Sequence, residues 1–284
     1  MTVRIDAHQH FWDPAQACYP WMAGAEMTPI RRAFGPADLA PLLRQNNIDA
    51  SILVQCRASL AETREFLDFA DVTPFIAGVV GWLDLTDPAA GDAIDQLRTL
   101  PGGAKLVGIR HQVHDEPDAE WLLRSEVQRG IAAVVARDLA YDLLVRTREL
   151  PAAIATAQAF PQGRFVLDHA AKPPIAAGFD RAWADRLAEL GACDNVWCKI
   201  SGLATEAAWD DWSAARLSPF VTHAARCFGE DRLIFGSDWP VCLLAGDYSA
   251  IKRALEQCLE QLGPNFRHKA FGPNAIAAYR LADS

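Results

Sequence analysis

Cationic side chains are in short supply: 27 Lys and Arg stand against 36 Asp and Glu, a formal net charge of −9. The cations form no stripe, which excludes a nucleic-acid backbone as partner. No apolar run approaches the roughly 20 residues that span a bilayer, so no membrane partner is expected. The opening Met1-Thr2-Val3-Arg4-Ile5-Asp6 runs straight into a strand pattern and carries no apolar core of a signal peptide. Cysteine is present but unpaired by spacing: seven residues, at 18, 56, 193, 198, 227, 242 and 258, an odd count with no Cys-x-x-Cys. That excludes a disulfide framework and a thiolate zinc site, and reduced thiols in the cytoplasm are expected. Gly-x-Gly-x-x-Gly and Gly-Lys-Ser/Thr are missing, so no dinucleotide or nucleotide phosphate loop is read. Gly-x-Ser-x-Gly is missing as well, which leaves Ser237 unconvincing as a nucleophile.

What is there is an alternation. The 284 residues, 51% hydrophobic and 22% charged, carry eight short apolar runs separated by amphipathic stretches. The runs are Val3–Asp6, Ala50–Gln55, Phe75–Gly81, Leu106–Arg110, Tyr141–Val145, Arg164–Asp168, Asn195–Ile200 and Leu233–Phe235. Continuous apolar runs are what parallel strands buried on both faces require. Ser59 and Glu62 form a capping box ahead of Leu60, Thr63, Leu67 and Ala70 at helical spacing. Asp87-Pro88 marks another helix start, with Ile94, Leu97 and Leu100 on one face. Helices are also expected near Asp247–Leu262 and, at the end, Asn274–Leu281. Eight strict repeats without linker or low-complexity tract predict an α/β fold, a single (β/α)8 barrel over residues 1–284 with a C-terminal helical extension.

In such a barrel the C-terminal strand tips carry function, and here they are polar. The first reads Asp6-Ala-His8-Gln-His10-Phe-Trp12, the third Trp82-Leu-Asp84, the fourth Arg110-His111, the sixth Asp168-His169 and the eighth Ser237-Asp238-Trp239. Strand residues at i and i+2 share a side, so His8 and His10 can share a divalent metal that His169 and Asp238 complete. A lone His-x-His is weak evidence; with a third histidine and a strand-end aspartate it points to an active site. His223 and His268 fall in helical stretches, and His114 sits in a loop with no partner indicated. Asp6 reads either as a support for a histidine or as a strand-end cap. Trp12, Trp82 and Trp239 suit the apolar face of a sugar ring or the core equally well. Trp121, Trp183, Trp209 and Trp212 read as packing residues.

These segments together resemble the amidohydrolase-2 family of the amidohydrolase superfamily. The resemblance rests on Ile5-Asp-Ala-His8-Gln-His10-Phe-Trp12-Asp-Pro, Tyr19-Pro-Trp-Met, Phe75-Ile-Ala-Gly-Val-Val-Gly-Trp82, Val107-Gly-Ile-Arg110-His111 and Phe165-Val-Leu-Asp-His169-Ala-Ala-Lys172-Pro-Pro. It continues through Cys198-Lys-Ile-Ser-Gly202-Leu, Phe235-Gly-Ser-Asp238-Trp-Pro-Val-Cys242 and Phe271-Gly-Pro-Asn-Ala-Ile-Ala-Ala-Tyr, and so covers essentially the whole chain. Within the superfamily the sequence is most similar to the sugar-acid lactonase branch of L-fuconolactonases and L-rhamnonolactonases. The resemblance implies hydrolysis of a sugar-derived lactone, with Asp238 as general base and His8, His10 and His169 facing the same pocket. Binuclear members carry a carboxylated Lys or a Glu at the end of strand 4; here that end reads Arg110-His111, and Lys105 precedes the strand. At most one divalent ion, zinc, is therefore implied, and the branch includes metal-independent members.

Chemically, lactone opening needs a deprotonated water, a stabilised oxyanion and a protonated leaving alkoxide. Asp238 can move both protons. A metal on His8, His10 and Asp238, or protonated histidines with Arg110, can hold the oxyanion. Arg110, His111 and Lys172 offer donors to sugar hydroxyls or to a carboxylate. Two other enzyme readings share this barrel: a metal-dependent decarboxylase, and a hydrolase of carboxylated muconolactone- or pyrone-type lactones. A non-catalytic sugar-binding barrel is the remaining class. The Thr205–Trp212 segment is expected to help set specificity.

Overall fold

The structure, a computed structural model, describes residues 3–282. Met1 and Thr2 of the N-terminal reading, and Asp283 and Ser284 of the expected 1–284 span, lie outside the described residues.

Eight parallel strands run in sequence order as one sheet: β1 (Ile5–Gln9), β2 (Ala50–Val54), β3 (Ile76–Gly81), β4 (Leu106–His111), β5 (Ala140–Leu143), β6 (Arg164–Leu167), β7 (Val196–Lys199) and β8 (Leu233–Ile234). The eighth meets the first without a regular ladder. Ala7 N–H donates to Phe235 O at 3.0 Å, Asp238 N–H to His8 O at 2.8 Å and His10 N–H to Trp239 O at 2.7 Å, and Gln9 bridges Trp239. The strands fall where the apolar runs predict them, with one useful shift. β1 starts two residues later than expected and continues through His8, because it pairs with the fully buried β2 from Ile5 onward.

Helices ring the barrel: α1 (Pro36–Gln45), α2 (Leu60–Val72), α3 (Ala90–Arg98), α4 (Ser125–Ala136), α5 (Leu150–Ala159), α6 (Arg181–Gly191), α7 (Ala214–Phe228) and α8 (Tyr248–Glu260). Ser59 caps α2 by accepting the Glu62 N–H. The other half of the expected box is absent, because the Glu62 carboxylate accepts the N–H groups of Cys56 at 2.8 Å and Arg57 at 3.1 Å instead. Asp87-Pro88 forms a turn just before α3, with Asp87 accepting from Ala89 N at 2.8 Å.

The helical extension consists of α9 (Pro264–Ala270) and α10 (Pro273–Tyr279). Ala275, Ala278 and Tyr279 of α10 pack with Leu281 against Ile5, Ile52, Val80, Val107 and Ile234, so this helix closes the end of the barrel opposite the strand tips. Burial of each large apolar side chain there contributes roughly 1.5–3 kcal/mol. Arg164, at the start of β6, donates to Ala278 O at 2.9 Å and fixes the helix to the strand.

Candidate active site

The interior of the barrel changes character toward the strand tips. Lower down it is aliphatic; higher up, Arg110 of β4, Asp142 of β5, Asp168 after β6 and Lys199 of β7 meet His8 of β1, all buried. Lys199 Nζ lies 2.6 Å from Asp142 Oδ2 and 3.0 Å from Asp168 Oδ1. Arg110 Nη1 donates to Asp168 Oδ2 at 2.9 Å, and Nη2 donates to Gln55 O. Two cations face two carboxylates, which is how buried charges are tolerated. Burial alone would raise the Asp168 pKa, but Lys199, His8 and Arg110 hold it well below the usual carboxylate range. Asp142 goes the other way: burial and the Asp168 charge push it up to about 6, against the pull of Lys199 and Tyr279.

Above this layer three ring or carboxylate atoms converge. His8 Nε2 lies 3.2 Å from His10 Nε2, and Asp238 Oδ1 lies 3.3 Å from His10 Nε2 and 3.6 Å from His8 Nε2. Their protonation follows from what stands behind them. His10 Nδ1 is 2.7 Å from Val54 O, a pure acceptor, so it carries the proton and its Nε2 presents a lone pair. His8 Nδ1 lies 3.2 Å from Asp168 Oδ1 and 3.3 Å from Lys199 Nζ, while its Nε2 faces Arg110 Nη1, a donor, at 3.3 Å. With the ring proton on Nδ1 toward Asp168, Nε2 of His8 is an acceptor as well. Three lone pairs thus point at one another, an arrangement that asks for a cation. Zn–N and Zn–O bonds of about 2.0–2.1 Å place tetrahedral ligand atoms about 3.3 Å apart, which is the spacing seen. The donor set fits one divalent ion.

His169 and Lys172 belong to an unusual turn. His169, Ala170, Ala171 and Lys172 all have positive φ, between +47° and +60°, a region that costs roughly 1–2 kcal/mol per non-glycine residue. Trp183 donates to Ala170 O at 2.8 Å and pins the turn. Ser201 Oγ lies 2.9 Å from His169 Nδ1. Asp238 is also left-handed, at φ +58°. Such strain concentrates at functional sites. Burial drives the His8 and His169 pKa values well below the ordinary imidazole value, which works against the protonated histidines expected to hold an oxyanion. For Asp238, burial opposes ionisation, but His169, His10 and Lys172 hold its pKa below the usual carboxylate value.

A cleft of about 130 Å³ opens on this group and is lined by His10, Arg110, His169, Lys172 and Asp238, together with Trp21, Cys56, Gln112, His114, Asp115, Leu144 and Val241. A larger depression at the opposite end of the barrel, about 650 Å³ beside Val3 and Phe271, contains none of the strand-tip residues. Four expected contacts are absent from the cleft lining. Trp12 is buried and donates to Ile30 O at 3.0 Å; Trp239 is buried edge-on to Phe11 and Phe34. Trp82 donates to His111 Nδ1 at 3.0 Å, and the His111 ring stacks on Trp121 at 4.1 Å with Glu116 on its Nε2 at 2.7 Å. The aromatic wall is Trp21 instead, oriented by its bond to Cys56 O at 3.2 Å.

His114, read as partnerless, lies 3.2 Å from Asp115 Oδ1 and lines the cleft. Asp6 is a backbone cap rather than a histidine support, accepting from Ser237 N at 2.8 Å, His8 N at 3.2 Å and Tyr248 OH at 3.0 Å. The 205–212 segment touches the cleft lining through Glu206, which pairs with Lys172 at 3.1 Å. Lys105 bonds Ala70 O at 2.7 Å, far from the tips, so strand 4 offers no bridging group. All seven cysteines are free.

A (β/α)8 barrel with one histidine on strand 1 and a second just after it, one after strand 6 and an aspartate after strand 8 defines a hydrolase of the metal-ligating barrel class. The chain belongs to the amidohydrolase family, whose sequence profile (Amidohydro_2) matches residues 5–281. It is 44% identical to the L-fucono-1,5-lactonase of Burkholderia ambifaria, over 99% of this chain and 97% of that one. To the L-fucono-1,5-lactonase of Burkholderia multivorans it is 40% identical, over 99% and 97%. The crystal structure of a Burkholderia multivorans amidohydrolase with bound zinc superposes with a TM-score of 0.93 at 39% identity, covering 98% of this chain and 99% of that chain.

Proposed function

We propose that this protein, as one barrel domain, hydrolyses the ring ester of a neutral sugar lactone of the L-fucono-1,5-lactone type to the open-chain sugar acid. The observation that carries this reading is Asp238: a carboxylate 3.3 Å from His10 Nε2, in a cleft whose cations are already paired. Arg110 is held by Asp168 and Lys172 by Glu206, while Asp115 and Asp238 add two more carboxylates to the lining. A lactone bearing one or two carboxylates would meet no free cation there, which weighs against the muconolactone and pyrone readings. The lactonase names of the two Burkholderia relatives support the same substrate class.

In this mechanism Asp238 takes a proton from water as the oxygen bonds to the lactone carbonyl carbon. The tetrahedral oxyanion then collapses, the ring C–O bond breaks, and Asp238 returns the proton to the departing ring oxygen. General acid–base help of this kind is worth about 10²–10⁴-fold. His169, with Ser201 behind it, orients Asp238 or a ring hydroxyl. Arg110 lines the cleft with its guanidinium held by Asp168 and Gln55 O. Lys172 and Gln112 reach the substrate's hydroxyls, and Trp21 covers an apolar face. His8, His10 and Asp238 would hold one zinc ion, as the zinc-bound relative suggests, and when bound it supplies Lewis-acid polarisation of the carbonyl. No described helix is long and apolar enough to cross a membrane, and the free thiols suit the cytoplasm.

The test is a proton-release assay on five- and six-membered aldonolactones, on carboxylated muconolactone and on a pyrone dicarboxylate, with CO2 monitored. The highest kcat/KM is expected for a neutral six-membered 6-deoxy lactone, without CO2. A carboxylated lactone outpacing every neutral one would reject the substrate class, and CO2 release would reject hydrolysis.

A further inference from the structure

The closing helix α10 does more than fill the barrel floor. Its Tyr279 hydroxyl, wholly buried, donates to Asp142 Oδ2 at 2.7 Å. The same oxygen receives Lys199 Nζ at 2.6 Å. Lys199 Nζ in turn lies 3.0 Å from Asp168 Oδ1 and 3.3 Å from His8 Nδ1. A continuous line of buried polar contacts therefore joins the far end of the barrel to the first histidine of the site.

The line bears on a choice that His8 must make. Its Nδ1 faces two groups at almost equal range, Asp168 Oδ1 at 3.2 Å and Lys199 Nζ at 3.3 Å. If Nδ1 keeps its proton it donates to Asp168, and the Nε2 lone pair is left toward His10 and Asp238. If the ammonium donates to Nδ1, the ring proton moves to Nε2 and the convergence of lone pairs is lost. A carboxylate that draws the ammonium away from Nδ1 selects the first state. Asp142 does so at the shorter distance, and Tyr279 fixes the Asp142 oxygen that does it.

We propose that Lys199, Asp142 and Tyr279 are positioning residues for the reaction: together they hold Asp168 and set the tautomer of His8, keeping its Nε2 free to accept. None touches the cleft, so none is expected to contact substrate. Only the kinetic readout of this inference rests on the lactonase reading; zinc affinity and the state of the His8 ring do not. Outer-shell partners of ligating histidines are typically worth about 10–100-fold in metal affinity.

Two variants test it. Tyr279→Phe removes only the hydroxyl. The double variant Asp142→Leu/Lys199→Met removes the pair without changing net charge, which guards against the unfolding expected when one buried charge is left alone. Each is measured for zinc Kd by competition with a chelating dye, for the His8 tautomer by nitrogen-15 NMR assigned against His8→Gln, and for kcat and KM. Expected are a Kd weakened several-fold in Tyr279→Phe and about 10–100-fold in the double variant, a rise in the Nε2–H form of His8, and a fall in kcat with KM within threefold. Wild-type Kd and tautomer in the folded double variant would overturn the proposal. Should that variant not fold, the same wild-type values in Tyr279→Phe would overturn it. Normal Kd shifts without measurable lactone turnover would instead reject the substrate reading and leave the positioning role standing.

Discussion

Gly202 follows β7 with φ +64°, and a Cβ added there would lie 2.5 Å from His169 Nδ1, 3.0 Å from His169 Cγ and 3.1 Å from Asp238 Oδ2. Restoring ordinary contact, about 3.5 Å, moves the imidazole by about 1 Å. It also breaks the 2.9 Å approach of Ser201 Oγ to His169 Nδ1. A displacement of that size in a catalytic group is worth about 100-fold in rate, so Gly202→Ala is expected to lower kcat by about that factor. The left-handed backbone costs a further 1–2 kcal/mol or so, small beside a typical total stability of about 5–15 kcal/mol, so the fold survives with a lowered Tm. Gly229 provides the control. It too has a positive φ, at +69°, but a Cβ there meets nothing within 4 Å. Gly229→Ala should lose stability through its backbone alone and keep wild-type turnover. The assay is proton release on the best lactone, with circular dichroism melts of both variants. A Gly202→Ala enzyme with kcat within threefold of wild type would refute the close packing of His169 and Asp238 as the source of rate.

Asp238→Asn keeps the shape and removes the base; kcat is expected to fall at least about 100-fold in a folded protein, and near-normal turnover would remove Asp238 from that role. Glu206→Gln frees Lys172 and Arg146, which Glu206 faces at 3.1 and 3.5 Å; the ratio of kcat/KM for a carboxylated over a neutral lactone should rise, and an unchanged ratio would argue against charge pairing as the selector. Burial pushes Glu62 from 4.5 up to about 7, so the folded state holds its proton more tightly than the unfolded chain. The stability this group contributes is present below pH 4.5 and is lost as pH rises through about 7. Relative to Glu62→Gln, the wild type should lose about 3 kcal/mol between those pH values, at about 1.4 kcal/mol per unit; parallel stability–pH curves would contradict it.

The barrel was legible because each strand is a nearly continuous apolar run, a signal that needs no tertiary knowledge. His8, His10, His169 and Asp238 were legible for a related reason: they interrupt apolar runs at strand ends. Lys199 was not singled out, although a lysine inside Val-Trp-Cys-Lys, on a strand buried on both faces, violates the pattern and was a usable signal. Asp142 offered the same signal on β5. The tryptophans misled because a strand tip fixes where a side chain starts, not which loop returns to cover it. Trp12 is claimed by Ile30 O of the following loop, and Trp239 by Phe34. Trp21 and His114 lie in loops whose return to the cleft depends on contacts tens of residues away, such as Trp21 with Cys56 O.

The seam where β8 meets β1 has a consequence for how the chain folds. His8 and His10 lie on one side of it and Asp238 on the other, some 228–230 positions apart in sequence. Loop closure over that separation is slow relative to local structure, so the ligand set comes together only after the two ends of the barrel sheet have met. A ligand that binds only the assembled set stabilises the folded chain by RT ln(1 + [L]/Kd), about 2.7 kcal/mol at a hundredfold excess over Kd, and it does so across the join that lacks a regular ladder. Refolding yields read by activity should therefore lag those read by helical circular dichroism, and zinc should narrow the gap by trapping the closed ring.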